Sequence, residues 1–503
     1  MSSPSPANQA AILVFGRVLA SLSEALILVV IVRLVGKIDV GNLTEILLVY
    51  STLEMAVTGG MPATLTYFLP NRSVEQRRAI AWRVCGILLL FGLGTGLLLL
   101  GVGLAALWQP AYFSEHLSYF ALLAPFPLGD VPYHMLPNLL VLEGRSQAAA
   151  KVGVVRSLAM TVATIVPLAF GASLWVVMIS LSLCGIVFAA ITRLWLRRLY
   201  LNVPGIVCPV SRRKLLRFGL PLGMTEIVAN VSSRFDRFLI ALFFSQAAYA
   251  EYQAGSWQIP LIPSIAYAVG VAYGPVLARL HQERRGEEAI RIWREQARKT
   301  ALLVVPVALI FVVAAEETIE VLFTSSYLAA AWVFRCYAAM TACRITAFGT
   351  MLVSAGKPQY VVRASLIALA SNAVISTLLL LLLGFYGPAL GTLLAFLPMA
   401  WAYCYYISRV CGVSVRQTWP LREYLKVLAL AGVAAVPALA FKLAVDLPAA
   451  WKLAGEAGLL LAAFSVLGTK VGLIESADWR FVRDWIWPRA APASSAATPP
   501  RSP

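Results

Sequence analysis

Residues 84–107 read VCGILLLFGLGTGLLLLGVGLAAL, a stretch of 24 residues without a charged side chain. An α-helix rises about 1.5 Å per residue, so about 20 apolar residues are enough to cross the hydrocarbon core of a bilayer. The stretch therefore predicts a membrane-spanning helix. Similar apolar stretches recur along the chain, which indicates that most of the protein lies in a bilayer rather than in water.

The composition of the whole chain agrees with this prediction. Of its 503 residues, 60% are hydrophobic and 13% are charged, and the mean hydropathy is +0.79. A soluble domain is about half apolar and about one quarter charged. The sequence is therefore too apolar for a soluble globular protein.

We predict an all-α polytopic membrane protein with about fourteen transmembrane helices. They form two six-helix lobes, related by a pseudo-two-fold axis along the membrane normal, and two extra C-terminal helices. The predicted spans lie at residues 10–34, 42–68, 79–107, 117–142, 152–171, 174–192, 218–242, 249–277, 301–323, 330–353, 361–383, 387–408, 427–445 and 452–471.

The basic residues orient these helices. With the N terminus inside, 30 of the 41 Lys and Arg residues lie in inner loops or the C-terminal tail, three lie in outer loops and eight lie inside spans. Cytoplasmic loops of membrane proteins are enriched in Lys and Arg, so we expect both termini in the cytoplasm. This bias also explains the net charge of +17 without nucleic acid as a partner.

The predicted lobes are joined by a basic cytoplasmic linker at 193–217. The N-terminal lobe is 1–192 and the C-terminal lobe 218–410, followed by the extra helix pair at 427–471. A cytoplasmic tail, 472–503, ends in a Pro-, Ala- and Ser-rich stretch that we expect to be disordered.

A short internal repeat supports two equivalent lobes. Gly144-Arg145-Ser146-Gln147 precedes the fifth predicted helix, and Gly356-Lys357-Pro358-Gln359 precedes the eleventh. Because each lobe contains an even number of helices, both lobes keep the same orientation, which is the reason for an axis along the membrane normal.

Charged residues inside spans are the candidate functional residues, because an Arg or Asp at the bilayer centre costs about 2.5–3.5 kcal/mol and usually faces a cavity or a partner. As candidates for a cationic, substrate-binding lumen we assign five arginines: Arg17, Arg237, Arg344, Arg234 and Arg335. As candidates for polar lumen contacts or ion coupling we assign six further residues: Glu24, Asp130, His134, Glu226, Asn230 and Asp236.

Helical spacing supports several of these assignments. Arg17 and Glu24 are seven residues apart and share one face of the first helix, and Glu226, Asn230, Ser233 and Arg237 share one stripe of the seventh. Two equivalent helices with polar faces suggest one shared lumen between the lobes.

Spacing leaves other positions open. A straight helix cannot direct both Arg335 and Arg344, nine residues apart, at one lumen, and Arg344 is nearer the midplane. Asp130 and His134 are either a protonation pair for ion coupling or a hydrogen-bonded pair in a helix interrupted by Pro132 and Pro137.

Some intramembrane residues have a structural interpretation. Arg33, Arg156 and Arg363 lie near span ends, where a long side chain can reach the interface. Glu45 and Glu54 lie on different faces of the second helix, and the pattern does not choose between them. The GxxxG motif at Gly92–Gly96 predicts close helix packing.

The sequence points away from catalysis. Its predicted outer loops are short, and it contains no DxD, HExxH or GxSxG motif and no phosphate-binding GxxxxGK[ST] loop. Only three histidines are present, and the seven cysteines are scattered. We therefore predict no metal, no cofactor and no enzymatic activity.

Four short motifs resemble the Wzx-type O-antigen and exopolysaccharide flippases of the MOP superfamily. They are Val32-Arg33-Leu34-Val35-Gly36 followed by Asp39-Val40-Gly41, then Gly219-Leu220-Pro221-Leu222, Phe235-Asp236-Arg237, and Tyr249 with Tyr252. Together with the two loops of the repeat, the resemblance covers roughly residues 10–410.

The resemblance implies a V-shaped pair of lobes that works by alternating access in the bacterial cytoplasmic membrane. The implied substrate is an undecaprenyl-diphosphate-linked oligosaccharide, which moves to the outer leaflet for surface polysaccharide synthesis. Arginine suits its diphosphate because the guanidinium binds phosphate oxygens bidentately. The implied partners are a coupling ion, either proton or sodium, and the polysaccharide polymerase or export machinery.

Three alternatives remain. A lipid II flippase shares the number of helices and a cationic cavity. A multidrug or organic-cation antiporter of the same superfamily would prefer an acidic lumen, for which Glu24, Glu45, Glu54 and Asp130 are available. A polymerase or ligase of the same glycans is disfavoured by the short outer loops.

Overall fold

The structure is a computed structural model. It describes residues 22–23, 25–108, 115–259, 273–274, 276–346 and 348–475, and these residues form helices and no strand. Arg17 and Glu24, the first part of the predicted first helix, much of the predicted eighth helix and the end of the tail lie outside the described residues.

The helices of the first half of the chain are α1 (Ala25–Leu34), α2 (Lys37–Thr58), α3 (Met61–Phe68), α4 (Val74–Trp108), α5 (Tyr119–Leu123), α6 (Pro127–Tyr133), α7 (Met135–Leu142), α8 (Ser146–Ala169) and α9 (Leu174–Leu199). Those of the second half are α10 (Arg212–Phe243), α11 (Gln246–Gly255), α12 (276–282), α13 (Gly286–Val313), α14 (Ala315–Phe323), α15 (Ala330–Cys343), α16 (Phe348–Ser354), α17 (Pro358–Leu383), α18 (Gly387–Cys411), α19 (Val415–Thr418), α20 (Leu421–Ala444) and α21 (Ala449–Lys470).

The predicted all-α membrane fold is confirmed. Within the described residues, nine helical stretches are long and apolar enough to cross a membrane, and one of them, Pro358–Cys411, contains both α17 and α18. The 32-residue α10 is long enough to span as well, although it carries many charges. The count of fourteen spans stays a prediction, because the first and eighth helices are only partly described.

Three predicted helices are broken near the middle. The second is divided into α2 and α3 at Gly59 and Gly60, whose φ angles are +28° and +64°. The fourth is divided into α5, α6 and α7, in a proline-rich sequence where missing N–H donors prevent a continuous helix. The tenth ends as α15 at Cys343 and resumes as α16 at Phe348.

The linker between the halves is shorter than predicted. Helix α9 continues to Leu199 and α10 begins at Arg212, where Ser211 caps it by accepting a hydrogen bond from the Lys214 N–H. Only residues 200–211 are therefore outside helices, and the ends of the predicted 193–217 segment are helical.

The two loops of the sequence repeat have the same backbone conformation. Gly144 and Gly356 have φ angles of +73° and +71°, which glycine adopts without strain. The N–H of Arg145 donates to the Leu140 carbonyl at 2.8 Å, and the N–H of Lys357 donates to the Leu352 carbonyl at 2.9 Å. This is the Schellman arrangement that ends a helix. Its presence in both loops agrees with the predicted repeat.

The two halves of the chain touch through glycines. A Cβ atom on Gly41 would lie 2.1 Å from the Gln246 carbonyl oxygen, and one on Gly223 would lie 2.3 Å from the backbone of Gly59. In the predicted orientation the first contact lies near the outer end of α2. The second joins α10 to the break between α2 and α3, nearer the inner side. Helix α2 and its break thus bring the halves into backbone contact at two levels.

Two glycines of α4 allow α5 and α6 to approach closely. A Cβ atom on Gly92 would lie 2.4 Å from the Pro127 carbonyl oxygen, and one on Gly96 would lie 2.5 Å from that of Ala124. Gly94, on another side of the helix, has nothing within 4 Å. The packing predicted from the GxxxG motif is confirmed.

Gly92→Leu should therefore destabilise the protein, because the new side chain overlaps the backbone of α6. Overpacking of this kind costs about 1–3 kcal/mol. The measurement is thermal unfolding in detergent, with Gly94→Leu as the matched control. Equal unfolding temperatures for the two variants would contradict the close contact.

Candidate functional site

Asp130 is the centre of a buried polar cluster in the first half of the chain. It is fully buried on α6 and accepts two hydrogen bonds from Arg156 of α8, Nε to Oδ1 at 2.9 Å and Nη2 to Oδ2 at 3.2 Å. The Tyr50 hydroxyl on α2 donates to Oδ2 at 2.7 Å. The prediction that Arg156 reaches towards the interface is wrong, because its guanidinium is held inside by a bidentate carboxylate.

His134 joins this cluster to α2. Its Nε2 lies 3.2 Å from Oε1 of Glu54 and 3.7 Å from Oδ2 of Asp130. The predicted Asp130–His134 neighbours are thus together, although Arg156 and Glu54 are the closer partners. We call Tyr50, Glu54, Asp130, His134 and Arg156 the Asp130 cluster.

Glu45 and Glu54, between which the sequence did not choose, have separate roles in the structure. Glu45 lies near the start of α2, where its Oε2 accepts a hydrogen bond from Gln246 Nε2 at 2.7 Å and lies 3.2 Å from His116 Nε2. It therefore contributes to the contact between α2 and α11, while Glu54 belongs to the Asp130 cluster.

The polar stripe predicted on the seventh helix lies along α10. The Asn230 side chain donates to the Glu226 carbonyl at 2.8 Å, and the Ser233 hydroxyl donates to the Asn230 carbonyl at 2.9 Å. Arg237 Nη2 donates to the Ser233 carbonyl at 3.4 Å. Glu226 is exposed and Asn230 half-buried, so the side chains near the inner end of this stripe remain accessible.

The residues beside this stripe connect α10 to other helices. Arg234 Nη1 donates to the Ser51 hydroxyl of α2 at 2.5 Å, so it bridges the two halves. Asp236 is fully buried and accepts hydrogen bonds from the hydroxyls of Tyr252, at 2.7 Å, and Tyr337. Asp236 therefore links α10 to α11 and α15, and its role in the lumen stays a prediction.

Arg344 stands at the break in the tenth helix. It follows the last residue of α15, and its own N–H donates to the Met340 carbonyl at 3.2 Å. The residue is exposed and lines two cavities of about 170 and about 390 Å³. Ligand pockets have volumes of roughly 300–1,000 Å³, so the larger cavity is big enough for a small polar group.

Both cavities have polar walls without acidic side chains among their described lining residues. Phe396, Met399 and Tyr403 separate them together with Arg344. Besides Tyr403, which lines both, the uncharged hydrogen-bonding side chains of the smaller cavity are Ser232, Ser233, Ser365, Asn372 and Thr392, and those of the larger one are Gln258, Thr341 and Thr346. Arg344 is thus the only charged side chain that the described walls contain.

A hydrogen-bonded group holds the wall of the smaller cavity in place. Asn372 of α17 donates through Nδ2 to the Ser232 carbonyl at 2.6 Å. Its Oδ1 accepts from Ser376 at 2.6 Å and Thr392 at 3.3 Å. These bonds tie α10, α17 and α18 together next to Arg344.

Arg335 does not join Arg344. Its guanidinium pairs with Glu316 and donates through Nε to the Val312 carbonyl at 3.2 Å. Lys442 of α20 binds the other oxygen of Glu316, at 2.8 Å, and Glu317 at 2.7 Å. We call Glu316, Glu317, Arg335 and Lys442 the outer ion-pair cluster. Arg335 lines neither of the two cavities.

Three predicted arginines remain as a group, which we call the arginine row: Arg234, Arg237 and Arg344. Arg234 interacts electrostatically with Arg237 and with Glu54, and Tyr337 interacts with both Arg237 and Arg344. Of the residues that the structure describes, no carboxylate forms an ion pair with any of the three. The row extends from the Asp130 cluster to the cavities beside Arg344. No His, Cys, Asp or Glu group in the described part of the chain could hold a metal ion.

A family model described as polysaccharide biosynthesis protein matches residues 29–332 of this chain. The chain belongs to this family. None of the curated proteins with which the sequence was compared matches it.

Solved structures of MOP-superfamily transporters share its fold. The lipid II flippase MurJ, in an inward closed conformation, is 12% identical with a TM-score of 0.64, over 92% of this chain and 99% of MurJ. The MATE transporter VcmN of Vibrio cholerae is 15% identical with a TM-score of 0.56, over 81% and 98%. A MOP-superfamily transporter from Pyrococcus furiosus is 15% identical with a TM-score of 0.55, over 81% and 97%. The predicted resemblance is confirmed for the family and the fold.

Several polar residues of this site were not assigned from the sequence. Tyr50 and Glu54 are four residues apart on α2, and Asn372 and Ser376 are four residues apart on α17. Such i, i+4 polar pairs inside apolar helices are a usable signal, because they lie on one face. Tyr252 belongs to a motif of the family resemblance, but nothing in the sequence pairs either Tyr252 or Tyr337 with Asp236.

Arg156→Gln should destabilise the protein by about 3–5 kcal/mol, because it leaves the buried Asp130 carboxylate without its main partner. Arg363→Gln is the matched control, since Arg363 stacks on Tyr360 with its guanidinium carbon 5.6 Å from the ring centroid and has no carboxylate partner among the described residues. Thermal unfolding in detergent measures both changes. Adding Asp130→Asn to Arg156→Gln should restore part of the loss, and equal effects of the two Arg variants would refute the buried pair.

Proposed function

We propose that the protein flips an undecaprenyl-diphosphate-linked oligosaccharide across the bacterial cytoplasmic membrane for surface polysaccharide synthesis. The observation that carries the proposal is Arg344, a cation that faces two internal cavities whose described walls contain no carboxylate. An unpaired cation inside a membrane protein favours an anionic ligand, because burial of charge without a partner is costly. The membership in a polysaccharide biosynthesis family supports the same substrate class.

The site has suitable chemistry for this headgroup. The guanidinium of Arg344 can bind two phosphate oxygens at once, and Arg237 and Arg234 supply further positive charge along α10. Thr341, Thr346 and Gln258 line the larger cavity and offer hydrogen bonds to sugar hydroxyls. We include Arg17, which the sequence assigns to the same lumen, as a further ligand.

Alternating access would use the glycine contacts between the halves. Separation of α10 from the break at Gly59 and Gly60 would open the arginine row to the inner side. Separation of Gly41 from Gln246 would open it to the outer side. The inner contact consists of backbone atoms with no intervening side chain. The outer contact is reinforced by the Gln246–Glu45 hydrogen bond and the Lys37–Glu251 ion pair, so outward opening must break both.

The proposal places the predicted domains in the membrane with both termini in the cytoplasm. The lobes 1–192 and 218–410 rock against each other, and the pair at 427–471 accompanies the second lobe. The polysaccharide polymerase or export machinery would take up the product in the outer leaflet.

We assign ion coupling to the Asp130 cluster. Glu54 and His134 are both titratable and lie between Asp130 and Arg234. A proton taken up by this pair changes the charge beside the arginine row, so binding of the anionic substrate and of the proton would influence each other.

A lipid II flippase is the second candidate. The MurJ structure covers 92% of this chain, whereas the VcmN and Pyrococcus furiosus structures cover 81%. That difference supports a lipid flippase as the second candidate, but it concerns the fold and not the substrate.

The decisive experiment is mass spectrometry of polyprenyl lipids from a host that lacks this gene, combined with an impermeant reagent that labels the outer leaflet. We expect diphosphate-linked oligosaccharides that accumulate in the inner leaflet. Accumulated lipid II would support the second candidate, and accumulation in the outer leaflet would indicate a polymerase or ligase. An unchanged lipid pool with new drug sensitivity would indicate a multidrug antiporter.

Arg344→Gln should abolish flipping in reconstituted vesicles while the protein remains folded in the membrane. Hydrogen bonds to charged groups contribute about 1.5–3 kcal/mol, which corresponds to a roughly ten- to hundredfold loss of substrate affinity. Arg344→Lys should keep only part of the wild-type substrate affinity, because an ammonium cannot bind two phosphate oxygens bidentately. Arg363→Gln is the control, and wild-type activity of Arg344→Gln would exclude the cavity as the substrate site.

Glu54→Gln and His134→Gln should remove the stimulation of flipping by a pH gradient while leaving stimulation by a membrane potential. The two gradients can be imposed separately on vesicles that contain the purified protein. Glu320→Gln, which changes an exposed carboxylate on α14 outside the candidate site, serves as the control. Unaltered stimulation by the pH gradient in both variants would show that the proton site lies elsewhere.

A further inference from the structure

Glu456 of α21 is a buried carboxylate without a hydrogen-bond partner. It is 1% exposed, and neither of its two oxygens has a partner among the described residues. Leu460, one turn further on the same face, packs with Val313 of α13 and Ala438 of α20 in one apolar cluster. Glu456 therefore points into the contact of α21 with the rest of the protein, where an unpaired ionised group is costly.

The outer ion-pair cluster lies next to Glu456 but cannot supply a hydrogen bond. Lys442 has three N–H donors, and they are used by the Val313 carbonyl at 2.9 Å, by Glu316 at 2.8 Å and by Glu317 at 2.7 Å. Arg335 is engaged by Glu316 and the Val312 carbonyl.

The charges around Glu456 come from α14, α20 and α21, while α13 contributes the apolar Ile310 and Val313 to the neighbouring cluster. Helix α14 contributes Glu316 and Glu317, α20 contributes Lys442, and α21 itself contributes Lys452 one turn earlier, all of which interact electrostatically with Glu456. Arg335 of α15 acts through Glu316. The two cations of the outer ion-pair cluster balance its two carboxylates, so Glu456 is a third carboxylate for which the cluster holds no counter-charge.

We propose that Glu456 is a proton-binding site that controls how tightly the helix pair α20–α21 packs against α13 and α14. In the predicted topology it lies about two turns from the outer end of α21, so its proton comes from the outer aqueous phase. With the proton bound, the side chain is neutral and the packed arrangement is stable. When the proton leaves, the bare carboxylate must gain water, move towards Lys452 one turn earlier or displace Glu317 from Lys442, and each of these changes loosens the helix pair.

The direction of the pH effect follows from linkage. The packed state binds a proton that the loosened, hydrated state releases more easily, so packing is strongest at low pH and weakens as pH rises. Loss of a single proton can change the equilibrium between the packed and the loosened helix pair by up to about tenfold per pH unit. This inference does not depend on the substrate, so it can stand or fall separately from the flippase proposal.

The test is hydrogen–deuterium exchange of residues 449–470 in the purified full-length protein at several pH values, after correction for the intrinsic exchange rate. We expect protection of α21 in the wild type to fall by up to about tenfold per pH unit above the titration of the site. Glu456→Gln, which imitates the neutral acid, should keep protection high at every pH. Glu456→Leu, which places no polar group at this site, should also keep protection high and serves as the second variant if the glutamine amide of Glu456→Gln destabilises the packing. Glu320→Gln, an exposed carboxylate on α14, is the matched control and should behave like the wild type.

Infrared spectroscopy provides the second measurement. The carbonyl band of a protonated carboxylic acid should titrate in the wild type and in Glu320→Gln, and it should lose one component in Glu456→Gln. An identical titrating band in Glu456→Gln, or pH-independent protection of α21 in the wild type, would overturn the proposal.

Discussion

The cost of an ionised group inside a bilayer is the constraint on which the rest of this structure depends. Asp130 and Arg156 neutralise each other, and so do the members of the outer ion-pair cluster. The arginine row is different, because none of its guanidiniums has a carboxylate partner among the described residues. Arg344, the member of the row that lines the two cavities, needs water or an anion there, and under the proposed function an anionic substrate meets that need. The same constraint that pairs opposite charges within each half thus favours an anion in the cavities beside Arg344, which residues of the second half line.

The break in the tenth helix lowers the cost of the cation at the end of the arginine row, Arg344. Arg344 follows directly after the C-terminus of α15, where the last carbonyl groups carry partial negative charge. A continuous tenth helix would consume those carbonyls in its own hydrogen bonds. Irregular backbone at membrane depth is tolerated only inside protein or beside a water-filled cavity, and the cavities beside Arg344 provide that environment. The break therefore stabilises the cation and leaves its guanidinium accessible.

The membrane fold could be predicted from the sequence, because an apolar run of about 20 residues is long enough to span a bilayer as a helix and too apolar to be exposed to water. It was less informative about the partners of charged residues, since these come from other helices. The sequence predicts Arg156 near the interface because the predicted span begins at residue 152, yet α8 begins at Ser146 and carries Arg156 ten residues inward. The spacing of Arg335 and Arg344 predicts opposite directions for the two side chains on a straight helix, but the tenth helix is broken between α15 and α16. In each case a helix boundary, which local sequence specifies poorly, decided where a charge lies.

Under the proposed function the charge of the arginine row determines how the membrane potential acts. An anionic diphosphate moves outward downhill in a cell with a negative interior, at about 2.3 kcal/mol per elementary charge and 100 mV. When guanidiniums neutralise the diphosphate, the loaded site crosses with little net charge. The empty cationic site then returns towards the negative interior, and the potential drives this step instead. Both distributions of charge favour the same direction, so the potential assists export regardless of how closely the arginines match the substrate. A proton at Glu54 and His134 would act on a different quantity, the affinity of the row for its anion. The two driving forces can therefore be separated by experiment.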